Sequence, residues 1–202
     1  MAPLPQQQLQ RVCEKFAGNP LTSALTVRIE TQTGEQFFFS QNGLDTPCFI
    51  ASSTKTVMSE LFLQLSESGR INLDAPLLNY LPESELRGLN TFGGRDNFYQ
   101  LTTRQLLRNT SGIPDYYRSK AIKPGKDITE RTANDPGWDY AEAIAIARSK
   151  KSTFAPGTSA EYSFTNFQIL SELAERILSE PVDITLKKLV FSKLGLRETL
   201  LF

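Results

Sequence analysis

The sequence predicts an α/β (α+β) chain, with one short antiparallel hairpin near the N-terminus followed by a long, mainly helical region. Three observations point there. Two runs rich in Val, Ile and Phe, residues 25–30 and 36–40, flank a Thr33-Gly34 turn. After them, apolar residues recur at helical spacing over residues 52–68, 140–148 and 167–178. Finally, 202 residues that are 40% hydrophobic and 22% charged contain enough apolar material for a real core. Residues 1–202 are read as one domain in two parts: a helix and hairpin over 1–48, and a helical region over 49–202.

The elements follow in order. Residues 7–16 form a short helix with Leu9, Val12, Cys13 and Phe16 on one side, stopped by Gly18-Asn19-Pro20. The hairpin comes next, and a lone hairpin is only marginally stable, so it calls for further strands or a helix against it. Residues 52–68 form a helix with Val57, Met58, Leu61, Phe62 and Leu65 as its buried stripe, closed by Gly69. A turn over 71–76 leads into the short segment 77–81, ended by Pro82. Residues 83–99 are polar and contain glycine, and read as loop, with Gly93-Gly94 as a turn signal. Thr102 and Gln105 have the spacing of a capping box for a short helix through Leu106 and Leu107. Residues 120–136 are the most loop-like stretch of all. Residues 140–148 form a helix with Ala141, Ile144 and Ala147 in register, and Phe154-Ala155-Pro156-Gly157-Thr158 is a tight turn. Asn166 can cap a helix over 167–178, with Leu170, Leu173, Ala174 and Ile177 facing inward. A last helix over 184–193 ends at Gly195.

The composition excludes several classes of function. Lys+Arg and Asp+Glu number 22 each, so no net field favours nucleic acid or an anionic membrane. No apolar run reaches the length of a membrane span. The opening residues show neither the basic nor the apolar region of a signal peptide, which leaves open a cytoplasmic protein or an exported one whose leader has been removed. Cys13 and Cys48 are too few for a disulfide framework and read as buried free thiols. The chain contains no histidine. That rules out, within this chain, a Ser-His-Asp triad, a Cys-His pair and every His-ligated zinc site. Asp115, Asp127, Asp135 and Asp139 lack the spacing of a metal loop. No cofactor and no metal is implied, and any enzyme chemistry must move protons with lysine, tyrosine or carboxylates. Asn109-Thr110-Ser111 matches the glycosylation pattern, but so short a match is expected by chance.

Ser52 is the only serine with a lysine three places later. On a helix that begins near Ser52, the i and i+3 side chains share a face, which brings the hydroxyl and the Lys55 amine together beside the positive helix end. A serine needs a base to become a nucleophile near neutral pH, and a lysine desolvated at a helix start can serve as one. Taken alone, the pair also fits a capping serine followed by a solvated lysine.

Several segments, in order, resemble the serine β-lactamase and penicillin-binding-protein superfamily, in its class C β-lactamase, D,D-carboxypeptidase and esterase branch. Ile50-Ala51-Ser52-Ser53-Thr54-Lys55 resembles the nucleophile motif. Leu106-Leu107-Arg108-Asn109-Thr110-Ser111-Gly112 resembles its "leucine-leucine-x-histidine-threonine-serine-glycine" segment, with Asn109 at the histidine place. Phe154-Ala155-Pro156-Gly157-Thr158 and Glu161-Tyr162-Ser163 resemble the approach to the tyrosine motif, and Leu194-Gly195-Leu196 the end of the helical region. The resemblance runs from about Thr26 to Phe202. It implies a β-lactamase/transpeptidase-like fold and a serine hydrolase that works through an acyl-enzyme on an ester or amide: a D-amino-acid peptide, a β-lactam or a small ester. The residues it implies are Ser52 as nucleophile, Lys55 as base and Tyr162 as the group that protonates the leaving group.

The sequence departs from the family pattern in two places. Phe164 stands where the tyrosine motif usually has an asparagine, and it cannot hydrogen-bond, which favours esters over amides or β-lactams. The third motif, on a late strand that returns to the sheet, is absent from these 202 residues. That strand supplies one of two oxyanion donors in the family, the other being the Ser52 N–H, and losing one such donor costs on the order of 10²–10³ in rate. The resemblance therefore implies an incomplete domain that lacks the C-terminal strands. Its hairpin would expose apolar surface and would be completed by self-association or by a second segment. An acyltransferase of the same fold and a catalytically silent binding or scaffold protein remain alternatives.

Overall fold

The computed structural model describes residues 4–41, 50–117 and 139–200. Cys48, Phe202 and the stretch 120–136, with Asp127 and Asp135, lie outside the described residues. The chain forms two compact units, Met1–Ala51 and Ser52–Phe202.

In the first unit, helix α1 (Gln6–Ala17) precedes strands β1 (Thr26–Glu30) and β2 (Gln36–Ser40), which pair antiparallel with Thr26 opposite Ser40 and Glu30 opposite Gln36. The hairpin reverses through Gly34 at φ +84°, a backbone state that a side chain would resist. The Gln6 side chain bonds the Gln36 carbonyl at 2.9 Å, and the Gln41 side chain bonds the Ala17 carbonyl at 3.0 Å, so α1 lies along the hairpin. The burial is thin. Cys13 and Phe37 are buried and Leu9 is half-buried, whereas Val12, Phe16 and Phe38 are exposed, so the predicted apolar side of α1 is covered only in part. Among the described residues this sheet has two strands.

The second unit contains the core. Helix α2 (Thr54–Glu67) buries Met58, Leu61, Phe62 and Leu65, and the chain leaves it at Gly69 with φ +71°. The expectation of a plain loop over 83–99 is corrected. This stretch holds helix α3 (Glu83–Leu86), a two-residue hairpin of β3 (Thr91–Phe92) and β4 (Arg95–Asp96) turning through Gly93-Gly94, and a 3-10 turn Phe98–Gln100. These elements are too short to leave a period in the sequence, yet Leu86 and Leu89 are fully buried. Helix α4 (Thr103–Leu107) starts on the predicted capping box, with both reciprocal Thr102–Gln105 bonds formed. Helix α5 (Tyr140–Arg148) buries Ala143, Ile144 and Ala147; Ala141 faces outward instead.

Helix α6 (Phe164–Leu178) starts three residues earlier than the apolar period suggested. Asn166 is therefore not its cap but a fully buried member of its first turn. Helix α7 (Val182–Leu186) runs directly into a π-helical turn, Lys187–Phe191, where one regular helix was expected. The wider turn, closed by Ser192 N–H on the Lys187 carbonyl at 2.9 Å, keeps Leu186, Val190 and Phe191 all in the core. Together α2, α4, α5, α6, α7 and the π turn enclose one apolar cluster. Burying side chains such as Phe62 and Leu170 completely is worth about 1.5–3 kcal/mol each.

Candidate active site

Ser52 lies in a 3-10 turn, Ala51–Ser53, that leads into α2, and not in the α-helix itself. Ala51 just before it has φ +44°, a left-handed state that costs a non-glycine residue about 1–2 kcal/mol. Ser52 is exposed. Lys55 is one turn on and half-buried, with Nζ 3.5 Å from Ser52 Oγ. From 110 residues away, the Tyr162 hydroxyl donates to the same Oγ at 2.9 Å. The structure thus brings together all three site residues expected from the sequence.

Aromatic rings surround the lysine. Its Nζ stands 4.2 Å from the ring centroid of Phe164 and 5.4 Å from those of Tyr162 and Phe167. The Phe164 ring stands at the position where the resemblance implies an amide, so it turns an aromatic face to the lysine nitrogen in place of a hydrogen-bonding group. Tyr162 packs edge-on against Phe164 at 5.3 Å, and Tyr117 leans on that same ring at 4.8 Å. No periodicity marks Phe167 as a neighbour of the lysine, or Tyr117 as a neighbour of Phe164.

The backbone that carries Tyr162 is short, running from the turn at Gly157 to the first residue of α6. It is fixed from the side of α4. Gly157 N–H donates to the Thr110 carbonyl at 2.7 Å, and Thr165 Oγ1 bonds the Pro114 carbonyl at 2.7 Å while accepting from Tyr116 N–H at 3.0 Å. Gly112 makes this approach possible. It sits at φ +67°, and a Cβ there would lie 2.4 Å from the Phe154 carbonyl oxygen and 2.5 Å from Asn90 Nδ2.

A cleft of about 190 Å³ has Tyr162 in its wall, together with Asp115, Lys150, Lys151 and Glu161. Lys150 Nζ is bonded to the Asp115 carbonyl and lies 3.3 Å from that of Tyr116. Burial lowers its proton affinity below that of an ordinary lysine, and the Asp115 charge opposes the shift. Among the described residues, no three His, Cys, Asp or Glu side chains gather as a metal-binding group, and no helix is long and apolar enough to cross a membrane.

The family model described as Beta-lactamase matches residues 30–202. The chain belongs to the beta-lactamase family. Within it, the chain is 28% identical over 162 residues to the esterase EstB of Burkholderia gladioli, an alignment covering 76% of this chain and 38% of the esterase. It is 26% identical over 156 residues to the D-alanyl-D-alanine-carboxypeptidase/endopeptidase AmpH of Escherichia coli (strain K12), covering 77% of this chain and 37% of that protein. Among solved structures, the D-stereospecific amidohydrolase from Streptomyces sp. superposes with a TM-score of 0.78 at 25% identity, over 95% of this chain and 55% of that one. The chain thus spans less than two-fifths of the length of these curated relatives. Its fold is of the β-lactamase/transpeptidase type, and the two curated relatives named above are an esterase and a carboxypeptidase/endopeptidase.

Proposed function

We propose that this chain carries the acylating centre of a serine hydrolase with Ser52 as nucleophile, Lys55 as base and Tyr162 as the proton donor to the leaving group. The observation that supports it best is the convergence of the Lys55 amine and the Tyr162 hydroxyl on one exposed serine oxygen. In the forward step, Ser52 Oγ attacks the substrate carbonyl and its proton passes to the Lys55–Tyr162 pair. Collapse of the tetrahedral adduct breaks the bond to the leaving group, which takes a proton from Tyr162. Water then attacks the acyl-serine, releases the acid and restores the serine hydroxyl. The Ser52 N–H supplies one oxyanion donor.

The substrate we favour is an ester. Phe164 turns an aromatic face to the lysine, so this position has no group to hold the N–H of an amide. Relatives that act on D-alanyl peptides or amides keep those substrates in view, with turnover of simple esters expected to be the easier to detect.

The test is covalent labelling with a small activated ester, read by mass spectrometry with peptide mapping. The acyl group should reside on Ser52. Lys55→Ala should slow labelling by about 10² or more, the usual worth of a positioned proton-transfer group, whereas Tyr162→Phe should slow it less, because an activated leaving group departs without a proton. Ser53→Ala should label as the parent does. An adduct on Cys48, or scattered over lysines with none on Ser52, would refute the assignment and favour a silent binding protein.

A further inference from the structure

Tyr162 can serve Ser52 only if its short segment, Glu161-Tyr162-Ser163, is held still, and one residue accepts from the N–H groups of both end residues. The Glu161 N–H donates to the main-chain carbonyl of Asn109 at 2.9 Å, and the Ser163 N–H donates to the Asn109 side-chain oxygen at 3.2 Å. Asn109 follows α4 with φ +55°, a left-handed conformation in which asparagine is among the few residues tolerated after a helix. Its side-chain oxygen also accepts from Asn166 Nδ2 at 3.1 Å. Asn166, fully buried, receives the Ser111 hydroxyl at 2.7 Å, and that hydroxyl accepts the Ile113 N–H at 3.1 Å. The asparagine oxygen is therefore itself anchored to a buried chain of bonds.

We infer that Asn109 is the positioning residue for Tyr162. It grips the backbone on either side of the tyrosine and sets its hydroxyl against Ser52 Oγ. The inference rests on the acyl-enzyme reading above. A shift of about 1 Å in a reacting group costs on the order of 10² in rate, so a clamp on the residues either side of the tyrosine is enough to matter.

Because Tyr162 protonates the leaving group, loosening it should spare substrates that leave without a proton and slow those that need one. The test therefore compares two esters of one acid in the intact protein, a nitrophenyl ester and an alkyl ester, and reads the ratio of their acylation rates. Asn109→Gly keeps the left-handed backbone and the main-chain bond but removes the side-chain oxygen. It should raise the nitrophenyl-to-alkyl ratio about 10-fold, part of the 10²–10⁴ that a proton donor contributes. Tyr162→Phe should raise it further, and the double variant should be no worse than Tyr162→Phe alone. Asn109→Asp, which keeps an acceptor oxygen, should retain the parent ratio.

A ratio depends on the folded molecules only, so partial unfolding of a variant does not imitate the effect; if Asn109→Gly does not fold at all, Asn109→Ala, which removes the same side-chain oxygen, takes its place with the same expected rise in ratio. An unchanged ratio in Asn109→Gly, or a ratio in Asn109→Asp as high as in Tyr162→Phe, overturns the role of Asn109. If the parent protein shows no label on Ser52, the acyl-enzyme reading fails and takes this inference with it.

Discussion

Replacing Gly112 by alanine should be among the most damaging single changes in the second unit, and the structure gives its size. The new methyl would meet a main-chain oxygen, that of Phe154, at 2.4 Å, and the Asn90 amide nitrogen at 2.5 Å. Neither can swing aside cheaply. Asn90 Nδ2 is already bonded to the Ser111 and Phe154 carbonyls at 3.0 Å each, in a side chain with no exposed surface. Three costs add: about 1–2 kcal/mol for alanine at φ +67°, about 1–3 kcal/mol for the forced displacement, and about 0.5–1.5 kcal/mol for a weakened buried hydrogen bond. The total is roughly 3–6 kcal/mol. Gly93→Ala provides the control, because it carries the same conformational cost at φ +63° with nothing within 4 Å. Urea titrations of both variants measure the difference directly. Gly112→Ala should lose about 1.5–4.5 kcal/mol more than Gly93→Ala. Equal losses would mean that the close approach of residues 112 and 154 is not as described.

Two further expectations concern stability. Tyr140 is half-buried and its hydroxyl donates to Glu85 at 3.2 Å; desolvation first, and then the Glu85 charge, push its ionisation well above the usual phenol range. A raised folded value means that the stabilisation is complete below the unfolded value near pH 10 and is lost as the pH climbs beyond it. Tyr140→Phe should accordingly flatten the alkaline fall in melting temperature, and a fall as steep as the parent's would refute this. Thr102→Ala removes the cap that accepts the Gln105 N–H at 3.2 Å and should cost about 1 kcal/mol, or roughly 2–4 °C in a thermal melt.

What could be read from the sequence was local. The stripe of Met58, Leu61, Phe62 and Leu65 repeats with the period of a helix, and Thr102 and Gln105 have the spacing of a cap, so those elements were legible without tertiary information. The Ser52–Lys55 pair was legible for the same reason, being one turn apart. Tyr162 was not; 110 residues separate it from Ser52, and only the resemblance of its motif to a family brought it forward.

The misreadings share one cause. Asn166 sits just before an apolar run, and at the level of local signals an asparagine there is a cap. In the structure its amide is consumed by Ser111 and Asn109, residues more than 50 positions away, so the helix can begin earlier and bury it. Residues 83–99 looked like loop because their polar side chains suggest solvent. Yet Asn90 and Asn97 are buried, bonded to each other at 3.1 Å, and Asn90 also staples the Ser111 and Phe154 carbonyls. Polar groups leave no hydrophobic period when they are buried against distant backbone. That is also why the parts that hold Tyr162 in place were the hardest to see. A catalytic hydroxyl at a loop needs its peptide groups satisfied by something rigid and non-repetitive, and asparagines reaching across the fold provide that without any spacing rule to announce them.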